Sequence, residues 1–361
     1  METTAGGGSV AVSVSPAGRA GRPIVAVDVA RAAGVSQKTV SRVVNGDSQV
    51  GEELRRRVLR AIDELDYRPN RAARNLVLGH TKTIGVLSVG TTDFGPSALL
   101  VATARAIRAA GYVMSVVNTI EPSSPDDAPL DNASALRELV AQGVDAVIIN
   151  EPVGTFNLAP GELGGLPVLS VSGEYRISSS ETVIDADHRG GAMQATRHLL
   201  DLGHRTVHHV TGPPAERSSI LRTSGWHDEL SAAGAPVTAV QTGNWSPKSG
   251  YVAGRLLAVD PDVTAVFCAN DHMAIGVLGA LREAGRRVPE DVSVVGFDDI
   301  PEAPFLAPAL TTIRADLARQ AALGVELLVA AIEDPGDRRI FRVLPVELIE
   351  RETTGRPSTR G

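Results

Sequence analysis

Residues 29–45 read VARAAGVSQKTVSRVVN, and this stretch contains two short helical patterns with Gly34 between them. Small apolar residues recur at helical spacing on both sides of the glycine. Glycine suits a tight turn because it has no Cβ. We therefore predict helices over 27–33 and 36–45, which together form a helix-turn-helix.

The second predicted helix has one apolar side and one polar side. At 100° per residue, Val40, Val43 and Val44 fall on the same side. The opposite side carries four hydrogen-bonding side chains, namely Gln37, Lys38, Ser41 and Arg42. A helix that enters the DNA major groove needs this division, because its apolar side anchors it and its polar side reaches base edges. A solvated amphipathic surface helix has the same pattern, so both interpretations stay open at this point.

Two further helical segments follow this pair. A third amphipathic helix is predicted over 52–66, with an apolar stripe of Leu54, Val58, Ile62 and Leu65. Asn70 can cap a fourth helix over 71–76, which is too short to be stable alone.

After these helices the pattern changes to alternating strands and helices. Buried strands are predicted over 84–89, 112–118, 143–150, 167–172, 206–212, 264–270 and 292–297. Helices are predicted over 97–110, 132–141, 188–202, 218–233, 247–259, 271–285 and 316–331. Continuous Val and Ile runs separated by helices indicate parallel sheets that are covered on both faces. The length of this region predicts two doubly wound subdomains with a ligand cleft at the carboxyl ends of their strands.

Composition and charge narrow the class of protein. Residues 1–80 contain 12 Lys and Arg against 8 Asp and Glu, whereas the rest of the chain contains 23 against 34. A basic head on an acidic body is typical of a protein that binds a polyanion. The single cysteine, Cys268, fits a reducing compartment. Residues 1–22 lack the pattern of a signal peptide and no apolar run is long enough to span a bilayer, so we expect a cytoplasmic protein without a membrane partner.

Several longer motifs resemble one family of proteins. The segment DVARAAGVSQKTVSRVVNGDSQV, followed by LDYRPNRAARNL, is similar to the head and hinge of the lactose-repressor family of bacterial transcription regulators. The resemblance continues through VVGFDD, LTTI and ELIERETTG, and covers residues 24–355. It implies a periplasmic-binding-protein-like body. The predicted divisions are a disordered leader (1–22), a helix-turn-helix domain (23–68), a hinge helix and linker (69–82), an effector-binding and dimerisation domain (83–350) and a flexible tail (351–361).

The resemblance also implies roles for individual residues in DNA binding. The base-reading residues are Gln37, Lys38 and Arg42, and the residues near phosphates are Ser36, Thr39, Ser41 and Asn45. In the hinge, Leu76 matches a wedge that enters the minor groove, and Ala73 matches a small residue where two hinge helices approach. The chain departs from the family at Val25, which replaces a capping threonine and removes one hydrogen bond, at a cost of about 1 kcal/mol.

Polar residues follow several predicted strands and point to an effector site. By resemblance to sugar-responsive members, the effector residues are Asn150, Arg222, Trp245, Asn270 and Asp298. Asp93 is also predicted to bind the effector. Asp93 and Asp185 replace apolar residues of the lactose-responsive member, and Ser172 replaces an aspartate, so we expect a small carbohydrate that is recognised differently in detail. A flat indole such as that of Trp245 packs well on a sugar ring. Asp271 is interpreted as a helix cap.

These patterns predict a transcription regulator, most simply a repressor, that binds near-palindromic double-stranded operator DNA as a homodimer. The alternative within the family is a purine- or other metabolite-sensing regulator. An exported sugar-binding protein would lack the basic head. A sugar-processing enzyme would need paired catalytic groups, and we find no catalytic pair, metal site or cofactor motif: Asp298 and Asp299 lack a second acid at a suitable spacing, and the histidines at 204, 208 and 209 lack partners.

Overall fold

The computed structural model of the chain divides into two compact units, Met1–Gly79 and His80–Gly361, which we describe separately. It describes residues 24–44, 47, 49–68, 80–91, 93–119, 131–150, 156, 158–159, 161–173, 181–336 and 339–358. The predicted leader, the hinge residues Ala73 and Leu76, and Asn45 lie outside these ranges.

In the described residues of the head there are three helices: α1 (Ala26–Ala33), α2 (Gln37–Val44) and α3 (Glu52–Glu64). Val29, Val40 and Val58 meet in its core. Gly34 has a φ of 62°, in the left-handed region that other residues rarely adopt, so this turn favours glycine. The predicted helix-turn-helix is confirmed, with one correction: Leu54 of the predicted stripe is 39% exposed, because Val58 and Ala61 face the core instead.

The described part of the body contains two sheets. The first has the order β11-β5-β4-β3-β1-β2, and the second has the order β12-β10-β9-β8-β6-β7. The first sheet comprises β1 (Thr83–Val89), β2 (Val113–Thr119), β3 (Ala146–Asn150), β4 (Val168–Ser170), β5 (Thr182–Ala186) and β11 (Ile340–Leu344). The second comprises β6 (His208–Thr211), β7 (Gln241–Thr242), β8 (Ala265–Cys268), β9 (Ser293–Phe297), β10 (Thr311–Ala315) and β12 (Val346–Ile349).

Every strand pair in these sheets is parallel except β10 with β12. The helices are α4 (Phe94–Ala109), α5 (Asn132–Ala141), α6 (His188–Asp201), α7 (Arg217–Ala232), α8 (Pro247–Ala258), α9 (Asp271–Glu283) and α10 (Leu317–Glu333), with a short 3-10 helix at Ala303–Phe305. Apolar clusters lie on both faces of each sheet. The predicted doubly wound architecture is therefore confirmed, with one antiparallel edge strand.

Five strands were not predicted: β5, β7, β10, β11 and β12. They carry polar residues or are only a few residues long, so they lack the apolar run that marks a buried strand. The chain enters the second sheet after β5 and returns to the first at β11, so each sheet takes strands from distant parts of the sequence.

The prediction of a flexible tail from residue 351 is wrong for the described residues 351–355. Thr353 is fully buried, and its hydroxyl donates to the Val294 carbonyl at 2.7 Å and accepts from the Thr311 N–H at 2.8 Å. The carbonyl of Gly355 lies 3.0 Å from Nε2 of His204. The polar composition of this segment predicts a flexible tail, because the residues that it bonds to are remote in sequence.

Among the described residues, no helix is both long enough and apolar enough to cross a membrane.

Candidate DNA-reading helix and effector cleft

The α2 helix has the two-sided burial that its sequence predicts. Val40 and Val43 are buried, whereas Gln37, Lys38 and Ser41 are exposed. The apolar side of α2 packs in the core of the head, so the hydrogen-bonding side chains on its polar side are exposed to solvent.

Hydroxyl groups determine where α2 begins. The Thr39 N–H donates to Oγ of Ser36 at 3.1 Å, and the two side-chain oxygens of these residues lie 2.9 Å apart. Two of the four predicted phosphate contacts, Ser36 and Thr39, therefore lie at the amino end of the helix, where the helix dipole favours an anion. At the start of α1, Val25 donates its N–H to Asp28 at 3.1 Å but has no side-chain acceptor to return. The predicted loss of one capping bond is confirmed.

Arg42 is held by two residues that we did not single out from the sequence. Its Nε donates to Oδ2 of Asp47 at 2.7 Å, and its Nη2 donates to Oε1 of Gln49 at 3.2 Å. The Arg42 side chain is 40% exposed. The guanidinium group therefore occupies a defined position beside the polar side of α2.

A small cavity lies at the cleft between the two sheets. Its charged and polar lining includes Asp185, His188, Arg222, Asp298 and Gln320, and its volume is about 30 Å³. Strand ends of the first sheet supply Asp185, and strand ends of the second supply Asp298. The predicted site residues Arg222 and Asp298 are therefore brought together, whereas His188 and Gln320 were missed.

Arg222 is the most buried cation of the cleft, with 6% exposure. One Nη donates to the Ala269 carbonyl, and the other lies 3.5 Å from Oδ1 of Asp298. The guanidinium carbon lies 3.7 Å from the centre of the Phe297 ring and 5.6 Å from that of Trp245. These contacts with two aromatic rings and a carboxylate fix its orientation.

His188 links Arg222 to Asp185. Its Nδ1 lies 3.2 Å from Nη2 of Arg222, and its Nε2 lies 3.4 Å from Oδ1 of Asp185. Burial lowers the pKa of His188, although Asp185 opposes this shift. The neutral ring that accepts at Nδ1 and donates from Nε2 satisfies both neighbours. His188 has this role because the fold brings Asp185 of β5 and Arg222 of α7 next to it. The sequence alone does not show that these two elements lie close together.

Asp298 has an unusual environment. Burial raises its pKa to about 6, although the charge of Arg222 acts in the opposite direction. Its φ is 117°, in a region that residues other than glycine rarely adopt. Its N–H donates to the Ile313 carbonyl at 2.8 Å, which holds this backbone in place.

Trp245 lies in a loop, as predicted, but it is only 8% exposed. Its Nε1 donates to Oε2 of Glu216 at 2.7 Å, and burial raises the pKa of Glu216. A Cβ at position 212 would lie 2.3 Å from the indole, so Gly212 makes room for the ring. The Asn270 side chain donates to the Trp245 carbonyl at 3.1 Å and accepts the Met273 N–H at 2.9 Å.

Asn270 is therefore a positioning residue for Trp245 as well as the cap of α9. The predicted cap, Asp271, is instead the first residue of that helix, and its buried carboxylate accepts the Ile300 N–H at 2.9 Å.

Asn150 and Asp93 lie at the carboxyl end of the first sheet. The Asn150 amide nitrogen donates to Ser88 at 3.3 Å and to the Pro96 carbonyl at 3.1 Å. Within the part of the chain that the structure describes, its buried Oδ1 has no partner. Asp93 accepts the Thr91 hydroxyl at 2.8 Å just before α4, and its charge raises the pKa of both Glu216 and Asp298, after the larger effect of burial.

No group of three or more His, Cys, Asp and Glu residues in the described ranges could hold a metal ion. His204 is bonded to Thr264 and Ser293 at 3.0 Å each. His209 stacks between Trp226 and Phe267. These histidines have structural partners.

Comparison with known proteins connects both regions to regulators. The model of bacterial regulatory proteins, lacI family, matches residues 27–70, and the model of a periplasmic binding protein-like domain matches residues 196–354. The lactose operon repressor of Escherichia coli strain K12 is 34% identical over 345 residues, which are 94% of this chain and 93% of that protein.

Other relatives carry the name PurR. The transcriptional repressor PurR of Vibrio atlanticus strain LGP32 is 31% identical over 336 residues, which are 90% of this chain and 97% of that protein. A crystal structure of the lac repressor dimer bound to operator and the anti-inducer ONPF has a TM-score of 0.79 and 31% sequence identity, with 92% of this chain and 100% of that chain covered.

Proposed function

This chain belongs to the lacI family of bacterial regulatory proteins, and on that premise we propose that a small carbohydrate in the cleft controls its binding to operator DNA. As a member of this family it is a DNA-binding transcriptional repressor, and its relatives are regulators of transcription rather than enzymes. A repressor acts where the chromosome lies, so the proposal includes a cytoplasmic location.

The DNA-reading part of the proposal rests on α2. Gln37, Lys38 and Arg42 are the base readers, because Arg and Lys suit guanine and Gln suits adenine in the major groove. The proposed phosphate contacts are Ser36, Thr39, Ser41 and Asn45. In the hinge, Ala73 and Leu76 keep the roles that the resemblance implies, as a helix contact and a minor-groove wedge.

We infer that the repressor acts as a homodimer on a near-palindromic operator. One helix-turn-helix offers few base contacts, and a two-fold dimer doubles them. The dimer of the lac repressor bound to operator supports this proposal. So do apolar side chains that lie exposed on the body: Phe305 is 86% exposed, and Val252, Leu256 and Val259 form an exposed stripe along and just beyond α8.

The buried contact between Arg222 and Asp298 is the single observation that carries the effector proposal. A guanidinium fork and a carboxylate side by side can donate to and accept from neighbouring hydroxyl groups of a sugar. The Trp245 ring centre lies 5.6 Å from the guanidinium carbon of Arg222, and in the proposal its apolar face packs on a sugar once the cleft opens. The proposed site also includes Asn150, Asp93 and Asn270. Asn270 acts through its hydrogen bond to the Trp245 carbonyl.

A purine is the second candidate effector. The PurR relatives support it as strongly by identity, and Asp298 and Arg222 could also pair with the polar edge of a nucleobase. The hydroxyl-rich ligand is favoured here because the cleft combines guanidinium groups with several carboxylates, and these donors and acceptors match the hydroxyl groups around a sugar ring.

The cavity must enlarge before an effector binds. Its volume of about 30 Å³ is far below the roughly 300 Å³ of the smallest typical ligand pockets. An effector would therefore change the separation of the two sheets. If the cleft and the operator site are linked, the expected coupling of about 1 to 3 kcal/mol changes operator affinity roughly five- to 150-fold.

A thermal-shift screen of the full chain tests the effector class. We would measure the melting temperature with neutral monosaccharides, disaccharides and purines, since a ligand that binds the folded state raises it. A concentration-dependent rise with one neutral sugar supports the proposal. A rise with purines alone assigns the second candidate, and an unchanged melting temperature with every sugar contradicts the sugar proposal.

A further inference from the structure

We propose that Asp47 and Gln49 are positioning residues that orient Arg42 and thereby set operator specificity. The inference rests on the proposed role of Arg42 as a base reader. It goes further because it assigns a function to two residues outside α2 that do not themselves read bases.

The Asp47 carboxylate connects the last turn of α2 to the following loop. Its Oδ2 accepts from Nε of Arg42 at 2.7 Å, and its Oδ1 accepts the Gln49 N–H at 2.9 Å. These bonds lower the pKa of Asp47, with the Arg42 bond as the largest cause. The carboxylate is therefore ionised at neutral pH, and charge-assisted bonds of this kind are the stronger ones.

The backbone of Asp47 is also fixed at both ends. Its N–H donates to the Arg42 carbonyl at 3.0 Å, and its carbonyl accepts from Nη2 of Arg55 at 2.6 Å. Arg55 belongs to α3, so the loop residue is tied to two helices of the head. A carboxylate on such a support has a defined position before any DNA arrives.

Together, Asp47 and Gln49 occupy one edge of the guanidinium group. Nε and Nη2 of Arg42 form its side edge, and each of them donates to one of these two partners. Of the five N–H groups of an arginine, two are used in this way. In the described residues Nη1 has no hydrogen-bond acceptor, so the end edge formed by Nη1 and Nη2 is the one that can meet the N7 and O6 of guanine.

The negative charge of Asp47 should also weaken DNA binding, and this effect makes the inference testable. A carboxylate beside the base-reading side of α2 lies close to where DNA phosphates would be, and it repels them. It also neutralises part of the charge of Arg42. Asp47 should therefore weaken binding to any duplex while it strengthens discrimination at the base pair that Arg42 reads.

An autoinhibitory contact is the opposite explanation of the same geometry. If Asp47 only sequesters Arg42 until DNA displaces it, its removal should tighten binding to specific and nonspecific duplexes alike. The positioning role therefore predicts that removal of Asp47 reduces discrimination, whereas an autoinhibitory contact predicts that discrimination stays the same.

The test uses the full chain and a duplex selected from a random pool by the unaltered protein. Fluorescence anisotropy gives the Kd for this duplex, for the same duplex with the base pair read by Arg42 exchanged, and for a scrambled duplex. Arg42→Ala identifies that base pair as the one whose discrimination is lost. Asp47→Asn removes the charge but keeps the shape, and Asp63→Asn removes an exposed charge elsewhere in the head.

We expect Asp47→Asn to reduce discrimination at that base pair about three- to tenfold and to tighten binding to the scrambled duplex. Gln49→Ala, which keeps the charge of Asp47, should reduce discrimination by a smaller factor, and it provides the test if Asp47→Asn does not fold. Equal tightening on all duplexes, or the same result as Asp63→Asn, overturns the inference. If Arg42→Ala itself leaves discrimination unchanged, the base-reading proposal fails, and the inference fails with it.

Discussion

Nη2 of Arg222 lies 3.5 Å from Oδ1 of Asp298, and both side chains are largely shielded from solvent. Arg222 comes from α7 and Asp298 follows β9, so the pair forms only when the second sheet is assembled. Buried charges are stable when each has a partner, and an effector that bonds to both of them would replace water at the open side of the pair.

Arg222→Ala should abolish effector binding and leave operator binding unchanged in the absence of effector. The substitution removes a charged hydrogen-bond donor from the site, which is worth about 1.5 to 3 kcal/mol per bond, or at least tenfold in Kd. Isothermal titration with the sugar identified in the screen measures this loss. Arg282→Ala, an exposed arginine on α9, is the control and should bind the sugar as the unaltered chain does. An unchanged sugar Kd for Arg222→Ala would place the effector elsewhere.

Trp245→Ala should weaken sugar binding by about tenfold or more, because it removes the ring beside Arg222. Trp245→Phe keeps an aromatic face and should lose less, although it leaves Glu216 without its indole donor. The matched control is Trp226→Phe. Trp226 donates to the Val207 carbonyl at 2.8 Å inside the core, so its loss should lower the melting temperature without changing the sugar Kd. Equal sugar affinity in Trp245→Ala and the unaltered chain would count against a stacking role.

The cleft should prefer neutral sugars to sugar phosphates or sugar acids. Among the residues that the structure describes, its surroundings include the carboxylates of Asp93, Asp185, Glu216 and Asp298 and the guanidinium groups of Arg217 and Arg222. A negative charge on the ligand would add repulsion from these carboxylates that the two cations do not balance. We expect the phosphorylated form of the bound sugar to have a Kd at least tenfold higher in the same titration. Tighter binding of the phosphorylated sugar would contradict this charge argument.

Asp298 should make the protein less stable as the pH rises from 4 to 6. Its pKa is raised to about 6 from 3.8, so in this window the folded state holds a proton that the unfolded state has released, and stability falls with pH by up to about 3 kcal/mol. His209, whose burial lowers its pKa to about 4, acts in the opposite direction. The contribution of Asp298 is therefore obtained as the difference in the free energy of unfolding between the unaltered chain and Asp298→Asn.

Urea unfolding of the unaltered chain and of Asp298→Asn at several pH values supplies this difference. The free energy of unfolding of the unaltered chain, minus that of the variant, should decrease between pH 4 and 6 and become constant above about pH 7. A difference that is the same at every pH would show that Asp298 does not titrate in this range.

The sequence predicted those parts of the fold that depend on local periodicity. The burial of Val40 and Val43 opposite Gln37 and Lys38 follows from helix geometry alone, as do most body helices and the strands with continuous apolar runs. β5, with the sequence TVIDA, has no such run, and it becomes a buried strand because β4 and β11 lie on either side of it. Thr353 is buried for the same kind of reason.

The sequence identifies only those site residues that can be recognised one at a time. Arg222 and Asp298 were identified by resemblance, but the position of His188 between Arg222 and Asp185 depends on the meeting of two elements. The hold of Asp47 on Arg42 depends on the conformation of a loop and of a long side chain. Residue types alone do not specify either arrangement.

The most direct test of the central claim is an anisotropy titration of the selected duplex, with and without the neutral sugar that raises the melting temperature. We predict that a saturating concentration of the sugar changes the Kd of the unaltered chain for the duplex by roughly five- to 150-fold, and that it leaves the Kd of Arg222→Ala unchanged. The same Kd for the unaltered chain in the presence and absence of sugar would contradict control of DNA binding through this cleft.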